Sequence, residues 1–588
     1  MSNRVTVIIA IVLLIFMFVV AVTSMAGDSL TMDELSHLPA GYSYLTQKDM
    51  RINPEHPPLI KDLSAVPLLF VQGINFPSDV DAWKNEVNSQ WTFGYHFLYT
   101  TGNPVEKIMF WARIPMILIL LILGIYVFWW ARKLFGNGAG LLSLFLFSFS
   151  PTLLAHGRLV TTDVGAAAGA FIAAFYFIKF LKDPSRKNLI ISGIFLGLAE
   201  LAKFSLILLL PFFGVLIFFW AIAKSENFAK FLKIFCAYLL RFALVLAVGY
   251  ALVWLFYLYH TWNYPPQKQA QDTQFILASS NLRPLADLTV WMADKPVLRP
   301  AAQYMLGLLM VFQRASGGNN GYFLGEVSAS GWKNYFPVVY LIKEPLAFFV
   351  LLAISLLYVA WLVKKTFWLK PFQRAKNWMK NHFSEFAMLL FVGIYWFTSL
   401  SSNLNIGVRH LLPVFPFTIL LVSASVSLWM KGAWFKKTKT AVLAILLIFQ
   451  AYSVLAVYPY FIAYFNELVG GPSRGYIYVT DSNLDWGQDM IRLRSWLEEK
   501  GVDKVYVDYF GGSDTSYFLG DKYLAWWGSR DPKELPKGSY LAVSATFLQG
   551  GRGFPVPGYE SPTGYYLWLD KYTPVAAIGH SIFVYRVD

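Results

Sequence analysis

The chain has 588 residues, of which 56% are hydrophobic and only 14% are charged, and its mean hydropathy is +0.48. Because so few charges cannot cover a soluble globule of this size, the composition excludes a soluble enzyme and predicts a protein of the lipid bilayer. The formal net charge of +14 does not indicate nucleic acid as a partner, since the basic residues gather in short loops between apolar runs.

Apolar runs of about 20 residues, long enough to cross a bilayer, follow one another along the chain. We predict about eleven of them, at 5–25, 108–130, 138–157, 162–180, 188–204, 205–223, 234–258, 337–363, 385–401, 410–430 and 440–461. Ser24, Met25 and Ala26 resemble the cleavage site of a signal peptide. The apolar core of the first run is longer than that of a typical signal, which favours an uncleaved helix.

The basic clusters at 132–133, 179–187, 224–233, 364–380 and 431–439 follow the positive-inside pattern. They predict a multi-pass protein of the plasma membrane with a cytoplasmic amino terminus. Two long segments, 27–107 and 259–336, are then extracytoplasmic, as is the tail, and any active site is expected on that side.

The tail differs in character from the rest of the chain. The stretch "GYIYVTDSNLDWGQDMIRLRSWLEEKGVDKVYVDYFGG" has the pattern strand, loop, helix, strand, and "YLAVSATFL" and "HSIFVYRVD" add further strands. We therefore predict a transmembrane domain over 1–462 and a small soluble α/β domain over 463–588. Because the candidate catalytic residues all precede the tail, we expect this domain to position an acceptor.

Ionisable residues near the membrane are costly and usually have a task. On the extracytoplasmic side they gather at four places: Asp33, Glu34 and His37 after the first run; Arg51, Glu55, His56 and Lys61 in "RINPEHPPLIKDL"; Arg113 in "FWARIPM", near the outer start of the second run; and His156, Arg158 and Asp163 in "SPTLLAHGRLVTTD", at the turn between the third and fourth runs. Two adjacent carboxylates and several cations are thus predicted at one aqueous mouth.

This combination suits a reaction in which a carboxylate takes a proton from an acceptor hydroxyl while cations stabilise a leaving phosphate carried by a lipid. Each residue also has a simpler interpretation. Thr31 could cap a helix that has Asp33 and Glu34 in its first turn. Arg113 and Arg158 could be anchors at the membrane surface, and Asp163 could cap a helix. Lys203 and Glu200 are expected to form an ion pair within the membrane.

A metal site is possible but not favoured. Asp33, Glu34, His37 and His56 include residue types that bind divalent cations, but their spacing matches no metal-binding motif. We therefore predict no cofactor.

The "DE" at 33–34, "HPPLIK" at 56–61, the arginine at 113 and "SP…R…TD" at 150–163 resemble the lipid-linked-sugar glycosyltransferases of the GT-C fold. The similarity is to the group of protein O-mannosyltransferases and lipid A aminoarabinose transferases. It continues through "GWKNYFPVVYLIKEPLAF", "GVRHLLPVFPF" and "YFNELVGGPSRGYIYVTDSNLDWGQDM".

The resemblance implies inverting transfer of one sugar from a polyprenyl or dolichyl phosphate to a hydroxyl of a protein, lipid or glycan. It further implies Asp33 as general base with Glu34 as its neighbour. His56 and Lys61 match the loop that faces the donor, and Arg113 and Arg158, followed by Asp163, match the region of the lipid phosphate. The segment 259–336 is too short for the β-trefoil insertion of the eukaryotic enzymes, so mannose is only one of the hexoses or pentoses to consider.

Two other functions remain open at this point. A transporter or flippase of lipid-linked sugars would need the same cations for the same phosphate, and a membrane scaffold could carry the tail as a binding module. The transporter predicts that ionisable residues continue through the helices to the cytoplasmic side. Apart from Glu200 and Lys203 the sequence shows few of them. The second leaves "DE" and "HPPLIK" without a role.

Overall fold

The structure, a computed structural model, describes residues 2–363, 368–432 and 434–587. Lys364 and Lys365 of the predicted basic cluster at 364–380 lie outside the described residues. In chain order the α-helices are α1 (Asn3–Met25), α2 (Glu34–Gln47), α3 (Pro58–Ala65), α4 (Asp81–Lys84), α5 (Gln90–Tyr95), α6 (Val105–Phe135), α7 (Asn137–Ser148), α8 (Pro151–His156), α9 (Asp163–Lys182), α10 (Arg186–Ala202), α11 (Leu209–Lys224), α12 (Phe228–His260), α13 (Pro266–Ile276), α14 (Arg283–Met292), α15 (Arg299–Gly317), α16 (Tyr335–Lys343), α17 (Leu346–Leu362), α18 (Pro371–Asn381), α19 (Phe383–Leu400), α20 (Phe415–Lys431), α21 (Lys436–Leu455), α22 (Met490–Glu499), α23 (Thr515–Leu519) and α24 (Ala545–Arg552).

In the described part of the chain, eight helical segments are long and apolar enough to cross a membrane: Asn3–Met25, Val105–Phe135, Asp163–Lys182, Phe204–Lys224, Phe228–His260, Phe383–Leu400, Val408–Lys431 and Lys436–Leu455. A ninth arises if α16 and α17, which meet at 112°, form one bent span. The predicted polytopic helical fold class is confirmed. The predicted count of about eleven spans is not.

Two local breaks account for much of the difference in the number of spans. The predicted span 138–157 is divided between α7 and α8, because Ser150 caps a new helix that begins at Pro151. The predicted span 188–204 corresponds to α10, which has 17 residues and ends at Ala202.

Two segments occupy the centre of the helical bundle. α9 and Val408–Lys431 are largely enclosed by other helices, whereas α1, α12 and α21 expose most of their apolar side chains. Helices that expose apolar residues in this way are suited to contact with lipid. The residues that begin the two central segments therefore lie within the protein rather than against the bilayer.

Helices α10 and α12 cross at unusually short range because glycines occupy the contact. A Cβ atom added to Gly197 would lie 2.6 Å from the carbonyl oxygen of Gly249, and one added to Gly193 would lie 2.8 Å from that of Val245. Gly193 and Gly197 form the small-xxx-small pattern that allows membrane helices to approach closely.

Gly197→Ala should therefore destabilise the bundle. The added methyl group meets backbone rather than a flexible side chain, so we expect a loss of about 1–3 kcal/mol, visible as a lower thermal midpoint in detergent. Gly214→Ala is the matched control, because Gly214 also lies within a helix and an added Cβ there meets nothing within 4 Å. Equal midpoints for the two variants would contradict the close crossing.

The strands are β1 (Gly321–Phe323), β2 (Glu326–Ser328), β3 (Val505–Asp508), β4 (Tyr523–Ala525), β5 (Ser539–Ser544), β6 (Phe554–Pro555), β7 (Ala576–Ile578) and β8 (Ile582–Val587). Five of them form a sheet in the order β4-β3-β5-β8-β7, in which β3 is parallel to both β4 and β5, and β8 is antiparallel to β5 and β7. The predicted small sheet domain near the carboxyl terminus is present. The boundary at 463 stays a prediction.

The predicted first strand of the tail is not a strand. Residues Pro472–Ile477 form a short 3-10 helix, and Val479 makes one isolated bridge to Phe323. The chain that flanks this stretch contacts α16 of the helical part. Its buried backbone is held by Lys343, whose Nζ donates to the carbonyl oxygens of Ile462 and Asn483 at 2.8 and 2.6 Å.

Candidate active site

Asp33 immediately precedes α2 but does not cap it. Its side chain makes no capping hydrogen bond, and Oδ2 lies 2.8 Å from Nη1 of Arg409. The Asp33 side chain keeps 22% of its surface exposed. The simpler interpretation, in which Thr31 caps the helix and Asp33 lies in its first turn, is wrong, because α2 begins at Glu34 and Asp33 is in the N-cap position without a capping bond. The Asp33 carboxylate faces an open space.

Arg409 joins the two central segments of the bundle. It lies in the 3-10 helix Val408–Val414, and its Nη1 is 3.3 Å from Oδ2 of Asp163 as well as near Asp33. Its guanidinium lies 4.2 Å from the ring centre of Trp486, and Nε donates to Ser482 at 3.1 Å. Such a fork of fixed donors holds a carboxylate in one orientation. Sequence reasoning missed Arg409, although an arginine at the start of an apolar run was a usable signal.

Asp163 lies behind Arg409 and is 1% exposed. Its Oδ1 pairs with Nζ of Lys203, so the predicted pair between Lys203 and Glu200 is wrong. The physical reason is that α10 ends at Ala202 and Lys203 is extended, which directs its side chain to the first turn of α9. Glu200 instead accepts a hydrogen bond from Tyr304 at 2.9 Å.

Glu34 is fully buried and faces away from Asp33. Its carboxylate accepts five hydrogen bonds: from Nε and Nη2 of Arg113 at 2.8 and 2.6 Å, from the amide and hydroxyl of Thr31 at 3.0 Å each, and from the Val160 amide at 3.0 Å. Burial opposes ionisation, but Arg113 and these donors outweigh it, and the pKa of Glu34 is lowered. Glu34 and Arg113 thus fasten the turn that carries Asp33.

Arg158 belongs to a second buried network. Its Nη2 lies 2.8 Å from Oδ2 of Asp28, and Oδ1 of Asp28 lies 2.7 Å from Nη2 of Arg492 in α22. Burial, only partly offset by Asp28, lowers the pKa of Arg158 to about 10. The network connects the turn after α1 to the tail.

Lys61 stabilises the loop of the "HPPLIK" motif from within. Its Nζ donates to the carbonyl oxygens of Asn53 and His56 at 2.8 Å each and to the Tyr44 hydroxyl at 2.8 Å, and the residue is fully buried. The ring of His56 lies 5.0 Å from that of His37, and the His56 side chain is 23% exposed. Burial lowers the pKa of His56 well below its usual value and that of His37 to about 4, so both rings are neutral at pH 7.

The turn that carries Asp33 is paired with the tail through its backbone. The amides of Ser29 and Met32 donate to the carbonyl oxygens of Gln488 and Trp486 at 2.9 and 3.0 Å. The Ser29 hydroxyl donates to the Gly487 carbonyl at 2.8 Å. The position of Asp33 thus depends on residues more than 450 positions away.

A cavity of about 650 Å³ opens above Asp33. Arg409, Trp486, Asp481 and Arg314 of α15 are among the residues that line it. Asp481 adopts a left-handed backbone conformation with φ of 57°, which is uncommon outside glycine and recurs at functional sites. Burial raises the pKa of Asp481 to about 6.

The structure thus separates the predicted site residues into groups. Asp33 lines the cavity, and Asp163 lies one contact behind it through Arg409. His56 is partly exposed and lies near Glu55. Oε1 of Glu55 also lies 3.1 Å from Nη1 of Arg314, which lines the cavity. Glu34, Lys61, Arg113 and Arg158 are buried in contacts that shape the turns around the cavity and are not among its described lining residues.

No group of three or more His, Cys, Asp or Glu side chains that could hold a metal ion occurs among the described residues. Two acids of the candidate site, Asp33 and Asp163, are both engaged by Arg409.

Asp485 makes stability depend on pH. It is fully buried, its Oδ2 accepts from the Thr546 amide at 2.8 Å, and its Oδ1 has no partner among the described residues. Burial raises the pKa of Asp485 from 3.8 to about 8. Between these values the folded protein binds a proton that the unfolded chain has lost, so stability falls as pH rises.

We expect Asp485→Asn to flatten this dependence. Thermal midpoints measured from pH 5 to 9 should fall for the wild type and change less for the variant, since an amide does not ionise. Asp503→Asn, at an exposed position of the same domain, should follow the wild type. Parallel curves for wild type and Asp485→Asn would contradict the assignment.

Residues 99–254 match the model of the family described as dolichyl-phosphate-mannose-protein mannosyltransferase. The predicted resemblance to this family is confirmed. The matched segment contains Arg113, Arg158 and Asp163, whereas Asp33, Arg409 and Asp481 lie outside it. A search of curated proteins found no match.

Three solved structures are similar to the chain. The Saccharomyces cerevisiae protein O-mannosyltransferase Pmt1-Pmt2 complex bound to the sugar donor is 19% identical, over 45% of this chain and 34% of that chain, with a TM-score of 0.33. The oligosaccharyltransferase AglB of Archaeoglobus fulgidus, in complex with an inhibitory peptide and a dolichol-phosphate, is 11% identical, over 93% of this chain and 71% of that chain, with a TM-score of 0.49. ArnT of Cupriavidus metallidurans bound to undecaprenyl phosphate is 13% identical, over 100% of this chain and 98% of that chain, with a TM-score of 0.28.

These similarities are distant. The chain spans about a third of the Pmt1-Pmt2 chain that it matches, and all three TM-scores are below 0.5. The family match and the helical architecture are consistent with the predicted GT-C fold class. Sugar and acceptor have to be argued from the site itself.

Proposed function

We propose that the protein is an integral-membrane glycosyltransferase that moves one sugar from a polyprenyl- or dolichyl-phosphate donor to an acceptor hydroxyl, with inversion, on the extracytoplasmic face. The observation that carries the proposal is the Asp33 carboxylate, which is held by Arg409 and lines a cavity of about 650 Å³, in a chain whose residues 99–254 match the mannosyltransferase family.

In this reaction Asp33 is the general base. Its carboxylate accepts the proton of the acceptor hydroxyl while the hydroxyl oxygen attacks the anomeric carbon of the donor. The bond between that carbon and the phosphate oxygen breaks, and the electron pair leaves with the lipid phosphate. Attack from the side opposite the phosphate inverts the anomeric configuration. Arg409 is a positioning residue, because its contacts with Asp33 and Asp163 fix the direction of the base.

The cation best placed for the leaving phosphate is Arg314. It lines the cavity and its side chain is 43% exposed, while Glu55 connects it to His56. Lys61 and Arg113, predicted as direct phosphate contacts, are proposed instead to position the loops, since their donors already serve buried carbonyl and carboxylate oxygens. Arg158, predicted in the same role, pairs with Asp28 through Nη2, while its Nε and Nη1 have no hydrogen-bond partner among the described residues. Because Arg158 does not line the cavity, it too is proposed to position its turn, through Asp28. Asp163 is proposed to act through Arg409.

The test is incubation of the purified protein in nanodiscs with radiolabelled polyprenyl-phosphate sugars and a mixture of saccharide, glycolipid and peptide acceptors that carry free hydroxyls. We expect label to leave the lipid, at the same rate with and without EDTA, since no cofactor is proposed. Intact lipid with undiminished label would overturn the proposal. Movement of uncleaved labelled lipid across reconstituted vesicles would favour the transporter alternative.

Sidedness is tested separately. Basic residues collect at the end of the bundle opposite Asp33, where Arg132 lies 3.1 Å from Asn3 and Lys376 donates to the carbonyl oxygen of Ser225. In a Cys236→Ala background, an impermeant maleimide should label Ser529→Cys but not Gln373→Cys in intact cells. Both positions are exposed, so accessibility does not explain a difference. Labelling of Gln373→Cys alone would place the cavity on the cytoplasmic side.

A further inference from the structure

The five-stranded sheet has a crevice at the carboxyl ends of its parallel strands. β3 lies between β4 and β5, so the chain leaves β3 toward one neighbour and later returns to pair on its other side. At such a switch point the connections diverge, and open α/β sheets bind their ligands there. The three strands end at Asp508, Ala525 and Ser544.

This crevice and the candidate active site share one cavity. The segments that follow β3, β4 and β5 contribute Phe510, Trp527 and Phe547, and the same cavity is lined by Asp33. A ligand in the crevice therefore extends toward the proposed base.

The crevice wall is aromatic. Trp527 is 52% exposed, and Tyr565 lies flat against the chain because Gly528 and Gly551 make room for it. A Cβ on Gly528 would lie 2.1 Å from the Tyr565 ring, and one on Gly551 would lie 2.5 Å from it. With Phe547 these rings present broad apolar faces to the cavity.

The polar groups between the rings are mostly neutral. They include Asn319, Asn320, Ser529, Thr546 and Ser561. The charged residues that line the cavity are Asp33, Arg314, Arg409 and Asp481 of the candidate active site, and Asp508 at the strand ends. Asp508 accepts a hydrogen bond from Tyr566, and burial raises its pKa to about 6. Beside it, Arg530 lies 5.0 Å from the Trp527 ring centre and pairs with Glu534.

From this chemistry we infer that the acceptor is a neutral saccharide, bound in the crevice against Trp527 and Tyr565 with one hydroxyl presented to Asp33. A sugar ring has an apolar C–H face for the aromatic rings and hydroxyls for the neutral polar groups, the combination that such pockets select. An extended peptide would pair with a sheet edge, here β4 or β7, whereas the cavity lies at the strand ends. That the saccharide is the acceptor rests on the proposed function. That a neutral saccharide binds in the crevice does not depend on it.

The experiment measures binding without turnover. Saturation-transfer NMR on the full chain in nanodiscs uses neutral trisaccharides of glucose, mannose, galactose and N-acetylglucosamine, and a serine- and threonine-containing peptide. We expect at least one trisaccharide to bind the wild type. The dissociation constant should rise at least about tenfold, or 1.4 kcal/mol, in Trp527→Ala and in Tyr565→Ala.

Trp291→Ala is the matched control, because Trp291 is 56% exposed in α14 and does not line the cavity. Binding of the peptide alone, or equal saccharide binding in the control and the crevice variants, would overturn the inference. Cleavage of the donor lipid in the same preparations separates the two proposals. Saccharide binding without any cleavage would contradict only the glycosyltransferase function, and cleavage without saccharide binding only the inference.

Discussion

Asp33→Asn should lower turnover by at least about a hundredfold, because a general base contributes roughly 10²–10⁴ in rate. Asparagine keeps the size of the side chain and can still accept a hydrogen bond from Arg409, but it cannot take the acceptor proton. Donor affinity should stay near that of the wild type, since the base acts in the transition state. The measurement is transfer rate together with donor affinity in one detergent preparation.

Two comparisons make this result decisive. Asp287→Asn removes an exposed carboxylate in α14 and should leave both quantities unchanged. Arg314→Ala should weaken donor binding as well as turnover, because a cation that contacts the phosphate acts in the ground state and the transition state alike. Near-normal turnover in Asp33→Asn would remove this residue from the mechanism, and Asp481 would be the next candidate.

Glu34→Gln should destabilise the protein rather than only slow it. The substitution leaves the buried Arg113 without its counter-ion, and removing one partner of a buried pair costs about 3–5 kcal/mol. We expect a large fall in the thermal midpoint and in the yield of inserted protein. The control is Glu106→Gln, which interrupts an exposed pair at 3.4 Å with Arg494 and should cost less than about 1 kcal/mol.

The double variant Glu34→Gln, Arg113→Gln distinguishes a structural carboxylate from a catalytic one. Neutralising both partners removes the uncompensated charge, so stability and part of the turnover should return. If Glu34 were the base, the double variant would regain stability without activity. That outcome would restore the catalytic role predicted from the sequence.

The sequence pointed to the candidate site because local signals mark its residues. Ionisable residues are costly near a membrane. The pair of acids directly after an apolar run and the charged residues of "HPPLIK" therefore indicated a functional site at the membrane surface. The turn at 31–34 is also stabilised locally, since the Thr31 hydroxyl donates a hydrogen bond to the Glu34 carboxylate. What the sequence could not do was separate Asp33 from Glu34. Asp33 and Glu34 are consecutive at the start of α2, so their side chains point in different directions. The Asp33 carboxylate lines the cavity, whereas that of Glu34 is buried in the protein.

The missing part of the site comes from distant segments. Arg409 is 376 residues from Asp33, and Trp486 lies further still. Nothing in the local pattern of "GVRHLLP" says which carboxylate the arginine meets. The same limit explains the tail, where "GYIYVT" has strand-forming residues but makes only one isolated bridge, between Val479 and Phe323, and its Tyr476 carbonyl accepts from Gln549 of α24.

The pairing of Ser29 and Met32 with Trp486 and Gln488 has a consequence for biosynthesis. The first helix enters the membrane early, but the turn behind it finds its partners only when the ribosome has added some 450 further residues. At about 5–20 residues per second the delay is on the order of half a minute. A nascent chain therefore holds Asp33 without Arg409 and Trp486 for most of its synthesis, and the base becomes oriented only near the end of translation.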